Sequence, residues 1–239
     1  MNGDFVRIWV YLSASPLLWL TATLVAYGIG DAISARLGRH ALANPVVIAA
    51  ALLTGLLVAT GTDYARFFDG AQFVHFLLGP ATVALAIPLY RNLATVRRAL
   101  LPMAAALVAG SVTAAASAVA IAWAFGAPRE VLASLAPKSV TAPIAMELAS
   151  SLGGIPALTA VLVIATGIIG AVVVTPLMNA LGIKDYAARG FAVGVASHGI
   201  GTARAFQVSE IAGTFAGIAM GLNGALTSLL VLLWLAFAG

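Results

Sequence analysis

The chain has 239 residues, 62% hydrophobic and only 8% charged, against about a quarter charged in an ordinary soluble domain. That excludes a soluble helical bundle, which needs a charged face on every turn. The net charge of +4 is spread over the ends of apolar runs and forms no basic patch with interleaved aromatics, which excludes a nucleic-acid-binding surface, and the absence of cysteine excludes disulfides and thiolate metal ligands.

Uncharged runs at 8–30, 41–62, 99–128, 154–183 and 211–239 all exceed the about 20 residues that a helix needs to cross a bilayer. A sixth, 70–90, qualifies with His75 neutral. The reading is an all-α polytopic membrane protein, a single integral membrane domain over 1–239, with segments at 8–36, 44–61, 73–92, 97–126, 131–153, 156–182, 187–207 and 209–238. That makes about seven or eight segments, depending on which are re-entrant. Asp4 and a spanning-length apolar run from Ile8 argue against a cleaved leader. The link 62–72, TDYARFFDGAQ, reads as an amphipathic interfacial turn. Arg36, Arg39, Arg91, Arg97, Arg98, Lys184 and Arg189 mark cytoplasmic ends.

Three segments predict discontinuous helices. Segment 73–92 contains Pro80 and Pro88, segment 131–153 contains Pro137 and Pro143, and segment 187–207 contains Gly190, Gly194, Gly199 and Gly201. Proline removes a helical hydrogen bond and glycine weakens the helix. Irregular backbone at membrane depth persists where protein buries it or where it lines a wet cavity. Weak self-similarity, VVIAAALLTG at 46–55 with VLVIATGIIG at 161–170 and GSVTAAASAVAIAWAF at 110–125 with GALTSLLVLLWLAFAG at 224–239, points to internal repeats of about 15–126 and 131–239. Two such halves, inverted, are a transporter-like arrangement. Small residues at Gly213, Gly217 and Gly221, and at Gly110, Ala114, Ala118 and Ala122, predict close helix packing within one subunit, the alternative being a contact between subunits.

The broken segments carry the chemistry. Pro137 is placed to open a helix, leaving the N–H groups of Lys138, Ser139 and Val140 free. With the Lys138 charge and the Ser139 and Thr141 hydroxyls, this makes a site for a small carboxylate. The alternative is a loop with Lys138 snorkelling into water. Pro80 and Thr82 repeat the pattern without the lysine, the alternative being a kinked helix with Thr82 bonded to its own backbone. Ser197, His198, Gly201, Thr202 and Arg204 form the third cluster, in which Arg204 either holds a carboxylate bidentately or anchors the membrane face. His198 and Glu147 are candidates for proton coupling, with H⁺ or Na⁺ as the coupling ion and no other cofactor, the alternative for His198 being a core histidine bonded to a carbonyl. Glu147 has two alternatives, a pair with Lys138 and an aqueous vestibule. Adjacent Ser197 and His198 do not make a nucleophile–base pair, and His40, His75 and His198 lack metal spacing, so no enzyme and no metal site are expected.

The stretches LGPATVALAIPLYR (78–91), LAPKSVTAPIAMELA (135–149), GGIPALTAV (153–161) and GFAVGVASHGIGTARAFQVSE (190–210) resemble the signatures of the LrgB/CidB family, from about residue 15 onward. The bacterial YohK proteins and the membrane part of the plastidal glycolate/glycerate translocator share them. The resemblance implies a multi-pass protein of the bacterial inner membrane. It implies one of two roles: a carrier of small monocarboxylates such as pyruvate, glycolate or glycerate, or a holin/antiholin-like regulator of murein hydrolases and lysis. It also implies a separate LrgA/CidA-type membrane partner. A carrier this short is expected to be a homo-oligomer, most simply a dimer, in contact with lipid and substrate. Pro137, Lys138, Ser139 and Thr141 fall on the first signature, and Ser197, His198, Gly201, Thr202 and Arg204 on the second. Glu147 falls outside the pattern.

Overall fold

The computed structural model describes residues 15–238 apart from 40–42, 78–79, 81–82 and 85. They form helices and turns, and the chain divides into two compact units, 1–84 and 85–239. Among the described residues four helices are long and apolar enough to cross a membrane. The seven or eight segments read from sequence are therefore present mostly as elements, but fewer of them span. The chain is an all-α multi-pass membrane protein.

The first unit contains α1 (Pro16–Arg36), α2 (Pro45–Thr60) and α3 (Tyr64–Phe76). Proline opens α1 and α2, where its missing N–H costs nothing, and the Asn44 side chain accepts from Val46 N–H at 2.9 Å to cap α2. Trp19 is wholly buried and meets the edge of Phe67 at 6.0 Å. The link expected to be an interfacial turn is thus largely helical, because Phe67 gives α3 an apolar side to lay on α1.

The second unit begins with two short helices, α4 (Ala86–Arg91) and α5 (Leu93–Arg98), and then α6 (Leu100–Ala124). Next come α7 (Arg129–Leu135), α8 (Ala142–Ser151) and α9 (Pro156–Ala180). The unit closes with α10 (Tyr186–Val208) and α11 (Glu210–Ala238). Helix α10 is broken at Ser197 (φ −133, ψ 17) and His198 (φ 40, ψ −136).

Both broken segments fold back on themselves. Gly190 and Gly194 of the first arm of α10 lie against Ala212 and Ala216, so that arm runs parallel to the start of α11. Past the break, Gly201 returns to Val193, and Arg204, Ala205 and Val208 share one small cavity with Tyr186, Arg189 and Gly190. A straight helix would put Arg189 and Arg204 about 22 Å apart. The α7–α8 pair does the same. Ser134 of α7 bonds Ile155 and Thr159 at the start of α9, and Val140 in the turn at 136–141 and Ala145 in α8 both pack on Val163.

The hairpins enter from opposite ends of the unit. Thr95 and Arg98 of α5 and Met103 at the start of α6 line one cavity with Asp185 and Phe191, whereas Val119 near the end of α6 lines another with Arg129 and Leu132. Hence α6 and α11 run one way, α9 the other, and hairpin plus span occurs twice, inverted, over 129–180 and 186–238, both within the second unit and so at other bounds than the halves of about 15–126 and 131–239 expected from self-similarity. The end from which the α10 hairpin enters carries Arg91, Arg97, Arg98, Lys184 and Arg189, while the opposite end carries Arg129 and the exposed Trp123, Phe125, Trp234 and Phe237. A basic end and an aromatic girdle are the two faces of a membrane domain.

Candidate functional site

The two hairpin tips meet between the middles of α9 and α11. His198 lies over Gly167, with its Nε2 2.8 Å from the Val163 carbonyl, and the Ser197 side chain lies against Gly170. From the other side, Asn223 of α11 donates from Nδ2 to the carbonyls of Ser139 and Val195, both at 3.1 Å. The first belongs to the α7–α8 tip and the second to the last turn before the α10 break. Carbonyls in the last turn of a helix lack intrahelical donors, and Asn223 supplies one. Its Oδ1 accepts from Ser111 Oγ of α6, which fixes which way the carboxamide points.

The tip residues are largely buried. Pro137, Ser139, Ser197, His198, Gly201 and Thr202 are buried, and Lys138 and Thr141 are half-buried. Lys138 Nζ lies 3.5 Å from Ser139 Oγ and within electrostatic reach of His198. Among the described residues no carboxylate lies within ion-pair distance of it. Thr202 Oγ1 donates to the His198 carbonyl at 2.8 Å. Ser197 Oγ, in a residue only 1% exposed, has no hydrogen-bond partner among the described residues. Such an orphan is costly and calls for an explanation. His198 has a positive φ of 40°, which strains a non-glycine residue by about 1–3 kcal/mol. Its bond to Val163 and the room above Gly167 hold it there.

Several expectations need correcting. Pro137 does not open a helix: the Lys138 N–H donates to Leu135 O and the Val140 N–H to Pro137 O. The helix starts at Ala142, with Pro143 in the first turn and Thr141 as an N-cap whose side chain makes no capping bond. The break in α10 falls on Ser197 and His198, not on a glycine. Glu147 is exposed on α8 and does not pair with Lys138. Arg204 lies away from the tips, at the base of its hairpin beside Arg189 and Tyr186, with Nη1 3.3 Å from Gln207 Oε1. Pro80 is exposed in the first unit, and Thr82 lies outside the described residues. Gly110 and Gly213 of the two small-residue stripes pack against Val195 and Phe206 inside the subunit.

Asn223 and Ser111 escaped the sequence reading. Each is one of several polar residues in an apolar spanning helix, and only its buried position reveals a role. Ser134 likewise donates to Glu130 O at 2.7 Å and accepts from Ile155 N–H at 2.8 Å, tying the first hairpin to α9.

The chain matches the LrgB-like family over residues 23–237. The protein YwbG of Bacillus subtilis (strain 168) is 35% identical over 184 residues, 77% of this chain and 82% of the relative. The holin-like protein CidB of Staphylococcus epidermidis (strain ATCC 12228) is 30% identical over 221 residues, 92% of this chain and 95% of the relative. The antiholin-like protein LrgB of Bacillus mycoides (strain KBAB4) is 28% identical over 225 residues, 94% of this chain and 98% of the relative. No solved structure matches.

Proposed function

Because the chain belongs to the LrgB-like family, we propose that it is a secondary transporter of small monocarboxylates, 2-oxo or 2-hydroxy acids such as pyruvate, glycolate or glycerate. The reading rests on one observation: two opposed hairpins bring Lys138, which has no carboxylate partner among the described residues, within electrostatic reach of His198, whose neighbour Ser197 carries a buried hydroxyl that has no partner among the described residues. A monoanion there gains the Lys138 charge and the Ser197 donor, and the start of α8 adds a positive dipole end. Thr141, Thr202 and the backbone at Gly201 complete the lining. Alternating access follows from the opposed entry of the hairpins, since each tip would open the site toward the face from which its hairpin comes. A coupling H⁺ or Na⁺ and a homodimeric assembly belong to this reading.

The names of the relatives favour a second reading, a holin/antiholin-like protein that regulates murein hydrolase activity and lysis, acting with an LrgA/CidA-type partner. The comparisons support this reading better than transport; the hairpin geometry supports transport. Purified protein in liposomes separates them. A transporter gives saturable uptake of radiolabelled pyruvate or glycolate that cold substrate competes away, and Lys138→Ala abolishes it while the protein still melts cooperatively. Unsaturable leakage of ions and dyes, or full uptake in Lys138→Ala, overturns the transport reading.

A further inference from the structure

We propose that Asn223 is a shared latch for the two hairpins: its single amide nitrogen holds one tip with each of its two hydrogens, so either face opens only by breaking its own bond to Asn223. The geometry is specific. Asn223 is 1% exposed, and its Nδ2 lies 3.1 Å from both the Ser139 and the Val195 carbonyl. These carbonyls belong to chain segments that enter from opposite faces and, among the described residues, have no other side-chain donor in common. The Ser111 hydroxyl occupies Oδ1, so the carboxamide cannot flip without putting its oxygen against two carbonyl oxygens. Ser111 is buried on α6 and Asn223 on α11, both spanning helices outside the hairpins. The latch is thus anchored to the frame, and the tips are what it releases. Each tip also has a bond independent of Asn223, namely Val140 N–H to Pro137 O in the first and His198 Nε2 to Val163 O in the second. Cutting the latch therefore loosens the tips without unmaking them. Because the tips are opposed, losing Asn223 frees both at once, whereas the change of state that opens one face breaks only one bond. This coupling goes beyond transport and applies equally to a holin-like protein.

The native chain has no cysteine, so single-cysteine reporters read cleanly. Val140→Cys reports the first tip, Val195→Cys the second, and Ala49→Cys in the first unit serves as a control; all three positions are buried. Maleimide labelling rates are measured in the full-length protein in proteoliposomes, with the melting temperature of each variant alongside. Asn223→Ala raises labelling at both tips about tenfold and leaves the control rate unchanged. Ser111→Ala, which removes only the orienting contact and keeps the carboxamide, raises both by a smaller factor and covers the case in which Asn223→Ala does not fold. Acceleration at one tip alone, at neither tip, or equally at the control overturns the latch.

Discussion

Adding one methyl group at Gly167 tests the second hairpin tip directly. An ideal Cβ there would lie 2.6 Å from His198 Cε1 and 2.9 Å from Nε2. Ordinary carbon contacts begin near about 3.5 Å, so the imidazole must retreat by close to an ångström. The Nε2···O bond to Val163 is 2.8 Å, and a retreat of that size stretches it past about 3.5 Å, where it no longer counts as a hydrogen bond. Overpacking costs about 1–3 kcal/mol and replacing a helical glycine by alanine returns about 1 kcal/mol, so Gly167→Ala should be net destabilising by up to about 2 kcal/mol. Because His198 also holds the positive φ at the tip, the loss is expected to reach the site: uptake falls sharply. The assay is a double-mutant cycle, measuring melting temperature and substrate uptake for Gly167→Ala, His198→Ala and the pair. The pair should melt close to His198→Ala alone, because the methyl group then fills the space that the ring vacated and the flexible end of Ile200, whose Cδ1 lies 2.9 Å from the same Cβ, can turn aside, while uptake stays lost. Additive melting shifts, or a Gly167→Ala variant with wild-type uptake, would refute the packing argument.

The remaining predictions use other contacts. Ser197→Ala removes a buried hydroxyl without a partner, so the substrate-free protein should melt at or above the wild-type temperature while uptake falls; a clear destabilisation shows that the hydroxyl is bonded after all. Ser134→Ala leaves the Ile155 N–H without its acceptor and should lower stability by about 1–3 kcal/mol in thermal melts, with an unchanged melt as the contrary result. Basic residues at the α10-hairpin end place that end in the cytoplasm. Consequently Ala127→Cys should react with an impermeant maleimide added outside intact cells and Lys184→Cys should not; the reverse pattern inverts the assignment.

Much of the architecture was legible in composition and spacing. Apolar runs located α6, α9 and α11 to within a few residues, because burial in hydrocarbon requires an uninterrupted length of apolar side chains. Prolines and glycines flagged the 131–153 and 187–207 segments as discontinuous, and charged or hydroxyl residues inside them marked the candidate site. These are local properties of the chain, and local chemistry sets them. Whether a broken segment crosses or turns back was not local. Pro137 and Pro143 are equally able to open a helix, and only the packing of Val140 and Ala145 on Val163 selects Pro143 and a hairpin. The same holds for His198, which takes the positive φ that Gly199 could have taken because Val163 and Gly167, about thirty residues away, receive its ring. Asn223 carried no sequence signal at all. Its meaning arises only when two carbonyls freed by distant breaks arrive at one amide, and long-range packing alone decides that meeting.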